Sequence, residues 1–169
     1  DNNRQKTLEN SKPALYNEGA GNSITGSERK IEKYKTRNQK LEGKKHPVTQ
    51  VPFVKKIIEY KGKLYEVVVP EFECIFETRI SEDMYLKRDR AQFKECTLQL
   101  WQAIEKNPEL GKRFTERQLK QIKKGKKPNG YTWDHCAEPG RMQLVDSNIH
   151  DKTGHTGGRV IWGGGKEYR

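Results

Sequence analysis

Tyr131-Thr132-Trp133-Asp134-His135-Cys136-Ala137-Glu138-Pro139-Gly140-Arg141-Met142-Gln143-Leu144-Val145-Asp146-Ser147-Asn148-Ile149-His150-Asp151-Lys152-Thr153-Gly154-His155 holds three of the chain's four histidines. Two short runs of strand-forming residues, Tyr131 to His135 and Met142 to Val145, flank the turn pair Pro139-Gly140, so the stretch reads as a hairpin. Asp146 before Ser147 is a helix N-cap signal, and a short helix is expected from about Ser147. The order is strand, turn, strand, helix.

A hairpin lying on a helix brings a carboxylate of its first strand near histidines of the helix and the turn beyond it. Asp134, His150 and His155 then offer one hard oxygen and two imidazoles, a set suited to a catalytic divalent ion with positions left for water or phosphate. Strand alternation turns His135 to the face opposite Asp134, and both reach one site only if the strand twists or ends there.

Upstream, between Lys112 and Arg141, nine basic residues stand against three acidic ones, and Lys120, Lys123, Lys124, Lys126 and Lys127 crowd just before the histidine cluster. Such a segment can hold a phosphate backbone, or it can be a solvated helix end whose cations suit the helix dipole. Thr115 to Gln118 matches a capping box that opens a short helix ending at Lys124-Gly125. Before it, Phe93, Cys96, Leu100, Trp101 and Ile104 fall on one face of a longer helix, with Asp89 and Gln92 as its cap and Asn107-Pro108 as its stop. Val54 to Tyr60, Leu64 to Val69 and Phe72 to Phe76 are strand candidates, with Lys61-Gly62-Lys63 as a turn between the first two.

The first 46 residues carry only nine apolar residues and are expected to form a weakly structured linker or delivery segment, with residues 47–169 as the folded domain. Starting at Asp1 without a methionine, the chain reads as a piece of something longer. The formal net charge is +11, which attracts polyanions, nucleic acid foremost, although an acidic protein partner satisfies the same charge. Cys74, Cys96 and Cys136 are odd in number and form no CxxC pair, so neither a thiolate zinc knuckle nor a disulfide framework is indicated. No apolar run approaches the ~20 residues that span a bilayer, so stable membrane insertion is not expected.

Trp133-Asp134-His135, Gly140-Arg141-Met142-Gln143-Leu144-Val145, Ile149-His150 and Gly154-His155-Thr156-Gly157-Gly158 together resemble the Trp-His-His subgroup of HNH/endonuclease VII nucleases. These are C-terminal toxin domains of bacterial polymorphic and contact-dependent inhibition systems, related to DNase-type colicins. The resemblance implies an α+β fold, a small sheet with helices and a C-terminal ββα-metal motif at about 131–156. It implies His135 as general base and His150 and His155 as ligands of one divalent metal ion, zinc or magnesium. Asp134 stands where the subgroup has its first histidine ligand, and Arg141 falls near the middle asparagine of the pattern, where it is expected to contact phosphate. The resemblance also implies delivery from a secreted or cell-surface protein into a target cell, and a cognate immunity protein. Given the charge, that partner is expected to be acidic.

Other residues take plainer readings. Trp133 and Cys96 are expected in the core, Cys136 to point away from the site, Glu138 to sit exposed in the turn, and His46 to lie outside the site. Gly157-Gly158 are expected to let the backbone turn tightly beside it. The sequence thus points to an endonuclease, with DNA before RNA as substrate. A zinc-stabilised nucleic-acid-binding module is the alternative from another class, disfavoured because three clear ligands leave the site open.

Overall fold

In the computed structural model, which describes residues 29–169, Ile31–Lys33 (β1) runs parallel to Lys63–Pro70 (β3), whose other edge pairs antiparallel with Phe53–Tyr60 (β2). The hairpin joining β2 to β3 is closed by Lys61 and Gly62, at φ +50° and +76°. These are the left-handed values that a two-residue hairpin turn requires, which explains Gly62. Most of the segment expected to be a leader lies outside the described residues. Its last part, from residue 29, adds a strand to this first sheet.

A second sheet, order β4-β6-β5, is built from Phe76–Arg79 (β4), Tyr131–His135 (β5) and Arg141–Asp146 (β6), all antiparallel. The expected strand Phe72 to Phe76 is displaced toward its end. The Glu71 N–H is bonded to Pro52 O in the first sheet and the Ile75 N–H to Leu144 O in the second. Residues 71–75 therefore form the crossing between sheets, which frees the Phe72 side chain for other contacts.

Asp89–Lys106 (α1) packs on this second sheet, followed by Pro108–Gly111 (α2) and Glu116–Lys123 (α3). Cys96, Leu100 and Ile104 of α1 are buried with Ile122 of α3 and Trp133, Met142 and Leu144 of the hairpin, as their helical and strand periods dictate. Each such aliphatic side chain contributes about 1.5–3 kcal/mol on burial. Thr115 and Gln118 form both halves of the capping box. The cap expected at Asp89 is instead Arg88, with no side-chain hydrogen bond. Asp89 is drawn away by Arg159, with which it is ion-paired, and Gln92 is fully buried.

Ser147–Lys152 (α4) follows β6 directly, and Gly158–Ile161 (α5) comes after a short loop. The whole is α+β, with two three-stranded sheets and five α-helices among the described residues. No helix among them is long and apolar enough to cross a membrane.

Candidate metal centre

Asp134 projects from β5 and is 6% exposed. Its Oδ1 lies 3.0 Å from His150 Nε2 and 3.0 Å from His155 Nε2. Local structure delivers both imidazoles. The Asp146 carboxylate caps α4 by accepting from the Ile149 N–H at 2.9 Å, which orients the turn that carries His150. His155 sits in the loop after α4, and its Nδ1–H donates to Thr153 O at 3.0 Å. Phe72 packs against both rings, 5.3 Å from His150 and 5.2 Å from His155.

One potential ligand atom from each of Asp134, His150 and His155 lies within 4.8 Å of the others. With Nδ1–H bonded to Thr153 O, His155 turns Nε2 toward Asp134 Oδ1, so the three potential ligand atoms converge on one point. Atoms bound about 2.0–2.2 Å from a tetrahedral ion stand roughly 3.3 Å apart, close to the 3.0 Å that separates Asp134 Oδ1 from each imidazole nitrogen. A divalent ion therefore fits these residues. Burial alone would raise the Asp134 pKa, but the hydrogen bonds and charges of His150 and His155 outweigh it and bring it to about 2. Burial likewise opposes charge on His155, yet Asp134 prevails and its pKa rises.

His135 ends β5 and turns its ring to the face opposite Asp134, as alternation requires. There it packs between Phe93 and Trp162, with Nε2 2.7 Å from Gln92 Oε1. Because the strand stops at this residue, His135 and Asp134 still line one cleft. Burial lowers the His135 pKa to about 4 against the opposing charge of Asp134. Trp162 closes the far side, donating from Nε1 to Cys136 O at 2.9 Å. Gly158 lies so near that a Cβ there would stand 1.9 Å from the same oxygen. The glycine is needed for this close approach.

The cleft, about 520 Å³, runs from Asp134 and His155 along the edge strand β2, where Lys55 and Lys56 line it with Arg141 and Gln143. Arg141 is held by Glu138 and Glu77, each at 2.9 Å. Its guanidinium thus has carboxylate partners already. Glu138 is 6% exposed, not turn-exposed as expected, because Lys56 also reaches it at 3.0 Å. Burial would raise the Glu138 pKa, but Lys56 and Arg141 hold it below the usual value. Contrary to the expectation that it points away, Cys136 shares the face of Asp134, its Sγ 3.8 Å from Asp134 Oδ2. Residues two apart on a strand face the same way. Burial keeps its thiol pKa well above the usual value, so it stays protonated.

Lys120, Lys123, Lys124, Lys126 and Lys127 are all exposed, and none lines the cleft. Lys127 Nζ lies 3.3 Å from Thr132 Oγ1 and 5.3 Å from the Phe93 ring that packs on His135. Trp133 is core, donating from Nε1 to Thr97 Oγ1 at 3.0 Å. His46 Nδ1 accepts from the N–H groups of Val48 and Thr49 in its own turn, and His46 does not line the cleft.

Residues that sequence reading passed over also meet the site. Asn38 Nδ2 donates to Gly154 O at 2.6 Å and Arg37 N–H to Thr156 Oγ1 at 2.9 Å, so the segment after β1 braces the loop carrying His155. Phe72, Lys55 and Lys56 belong to the same group. The doublet Lys55-Lys56 inside an apolar strand was the one visible sign among them.

Residues 62–157, more than half of the 169-residue chain, match the family described as the DNase/tRNase domain of colicin-like bacteriocin. No curated protein and no solved structure matches the chain.

Proposed function

Because the chain belongs to the family of DNase/tRNase domains of colicin-like bacteriocins, and is on that ground a nuclease toxin domain, we propose that it is a metal-dependent endonuclease that cuts DNA in target bacteria. The observation that carries this reading is the convergence of Asp134, His150 and His155 on one point at the end of a cation-lined cleft. Two imidazoles beside one carboxylate favour an ion with an affinity for nitrogen, zinc above magnesium. Such an ion, when bound, supplies positive charge for the scissile phosphate and the leaving oxygen. The open side of the ligand set leaves room for phosphate.

The chain's own residues account for the rest of the chemistry. With its pKa near 4, His135 is neutral at physiological pH and keeps a lone pair for the proton of the attacking water. Lys55 on β2 positions the phosphate backbone along the cleft, Lys56 adds its charge while paired with Glu138, and the lysines from Lys120 to Lys127 extend the positive field beyond it. Arg141, tied to Glu138 and Glu77, braces the β5–β6 turn beside His135. In this reading it acts on phosphate only through the shape of the cleft.

RNA is the second reading, because the family's own description names a tRNase beside a DNase. We further place the domain within the Trp-His-His subgroup of HNH/endonuclease VII toxins. On this view it is delivered as part of a larger polymorphic or contact-dependent inhibition protein and blocked in the producing cell by an acidic immunity protein. The folded unit takes in residues before 47, since β1 pairs in the first sheet and the turn after it braces the site.

Incubating the protein with plasmid DNA and with total RNA, with and without chelator, tests the proposal. Cleavage of plasmid that chelator abolishes and zinc restores is the expected result. Cleavage of RNA alone would move the substrate to the second reading, and chelator-insensitive or absent cleavage of both would overturn the enzyme.

A further inference from the structure

Gln92 lies in the first turn of α1 and is fully buried, an unusual place for a polar side chain unless all its hydrogen bonds are made. Its Nε2 donates to two backbone carbonyls, Met84 O and Tyr85 O, each at 2.9 Å. Reversing the amide would set its oxygen against both carbonyls, so the orientation is dictated by chemistry. Oε1 therefore faces His135 Nε2 at 2.7 Å, and an amide oxygen can only accept. The hydrogen on the imidazole must be on Nε2. Asp89 Oδ1, the other acceptor near that nitrogen, is beyond hydrogen-bond range at 3.7 Å and is engaged by Arg159.

We propose that Gln92 is the positioning residue for His135: it holds the imidazole as the Nε2–H tautomer and leaves Nδ1 as the atom that receives the proton. This rests on the reading of His135 as general base. In the step that follows, Nδ1 takes one proton from water, and the oxygen attacks phosphorus with the electron pair so released. The bond from phosphorus to the leaving oxygen breaks, that oxygen takes a proton from solvent, and Nδ1 later returns its own to solvent. Gln92 touches neither substrate nor water. It acts by denying His135 the other tautomer, whose lone pair would be buried against an amide oxygen, a loss comparable to an unmade buried hydrogen bond.

The tautomer is read directly from long-range ¹H–¹⁵N spectra of the histidine side chains in the ¹⁵N-labelled chain, with His135 identified by its loss in His135→Ala. The expected wild-type spectrum is that of Nε2–H. Gln92→Met, similar in size but without the acceptor, is expected to give mixed tautomers and to lower kcat by about tenfold or more with KM within about twofold. Gln92→Glu, which keeps an acceptor, is expected to retain the tautomer. Thermal melts and zinc titration of both variants check that the fold and the Asp134 centre persist.

An Nδ1–H tautomer in the wild type would overturn the proposal, as would a Gln92→Met protein with tautomer and kcat unaltered. Equal losses in kcat and zinc affinity with the tautomer kept would reduce Gln92 to packing and overturn it too. Full cleavage by His135→Ala would instead remove the base reading. The spectra need no activity and would still test Gln92 on their own.

Discussion

At the residue scale the centre depends on Asp134, whose single Oδ1 serves two imidazoles at 3.0 Å each. Asp134→Ala is expected to lower zinc affinity by at least about a hundredfold, since losing even an outer partner of a metal ligand costs about 10–100-fold. Isothermal titration measures it, and unchanged affinity would show that the ion binds elsewhere. Glu138 makes a different prediction, about stability. Its pKa is lowered in the folded chain because Lys56 and Arg141 favour the charged form over the cost of burial. A depressed carboxylate stabilises above its unfolded pKa, and that stability is lost as pH falls through the folded value. Glu138→Gln should therefore cost on the order of 2 kcal/mol at pH 7, and the difference from wild type should shrink below the ordinary glutamate range. Denaturant melts at neutral and acid pH check the sign; a gap that widened in acid would refute it.

At the scale of elements, β2 and the end of α3 are the two candidates for holding a nucleic-acid backbone. Lys55 on β2 lines the cleft, whereas Lys120, Lys124 and Lys126 lie outside it. Lys55→Ala is expected to raise KM and to reduce the salt slope of binding by about one, as loss of one phosphate contact does. Lys124→Ala should change the slope less. Fluorescence anisotropy across a salt series compares them, and the reverse order would move the binding face to α3. Helix α3 also offers a control, because Thr115 caps it away from the cleft. Thr115→Ala should cost about 1 kcal/mol of stability and leave cleavage as it was. Both outcomes come from the same preparation.

Taken whole, the molecule joins its N-terminal sheet to the candidate centre through Arg37 and Asn38 at the loop 154–156. A chain starting at residue 47 loses β1 and this brace, while one starting at residue 29 keeps both. The shorter chain is expected to melt at a lower temperature and to cut more slowly, by thermal scan and plasmid assay. Equal behaviour would support the boundary at residue 47. Composition gave no sign of β1 for a physical reason: the strand contributes few apolar atoms and is held by backbone pairing to β3, which leaves no hydrophobic pattern to read.

Local rules made much of this protein legible in its sequence. The β5–β6 hairpin, the Asp146 cap of α4, the capping box at Thr115 and the apolar face of α1 each depend on residues a few positions apart, so pattern alone sufficed. Asp134, His150 and His155 were also legible, because one hairpin and one short helix bring them together within 21 positions. The tertiary structure alone decided which partners meet across the chain: Lys56 with Glu138, Glu77 with Arg141, Gln92 with His135, and Asn38 with Gly154. Those pairs are separated by 82, 64, 43 and 116 positions. A charge or an amide carries no mark of a distant partner, and only the packing of two sheets and a helix determines which ones are buried together.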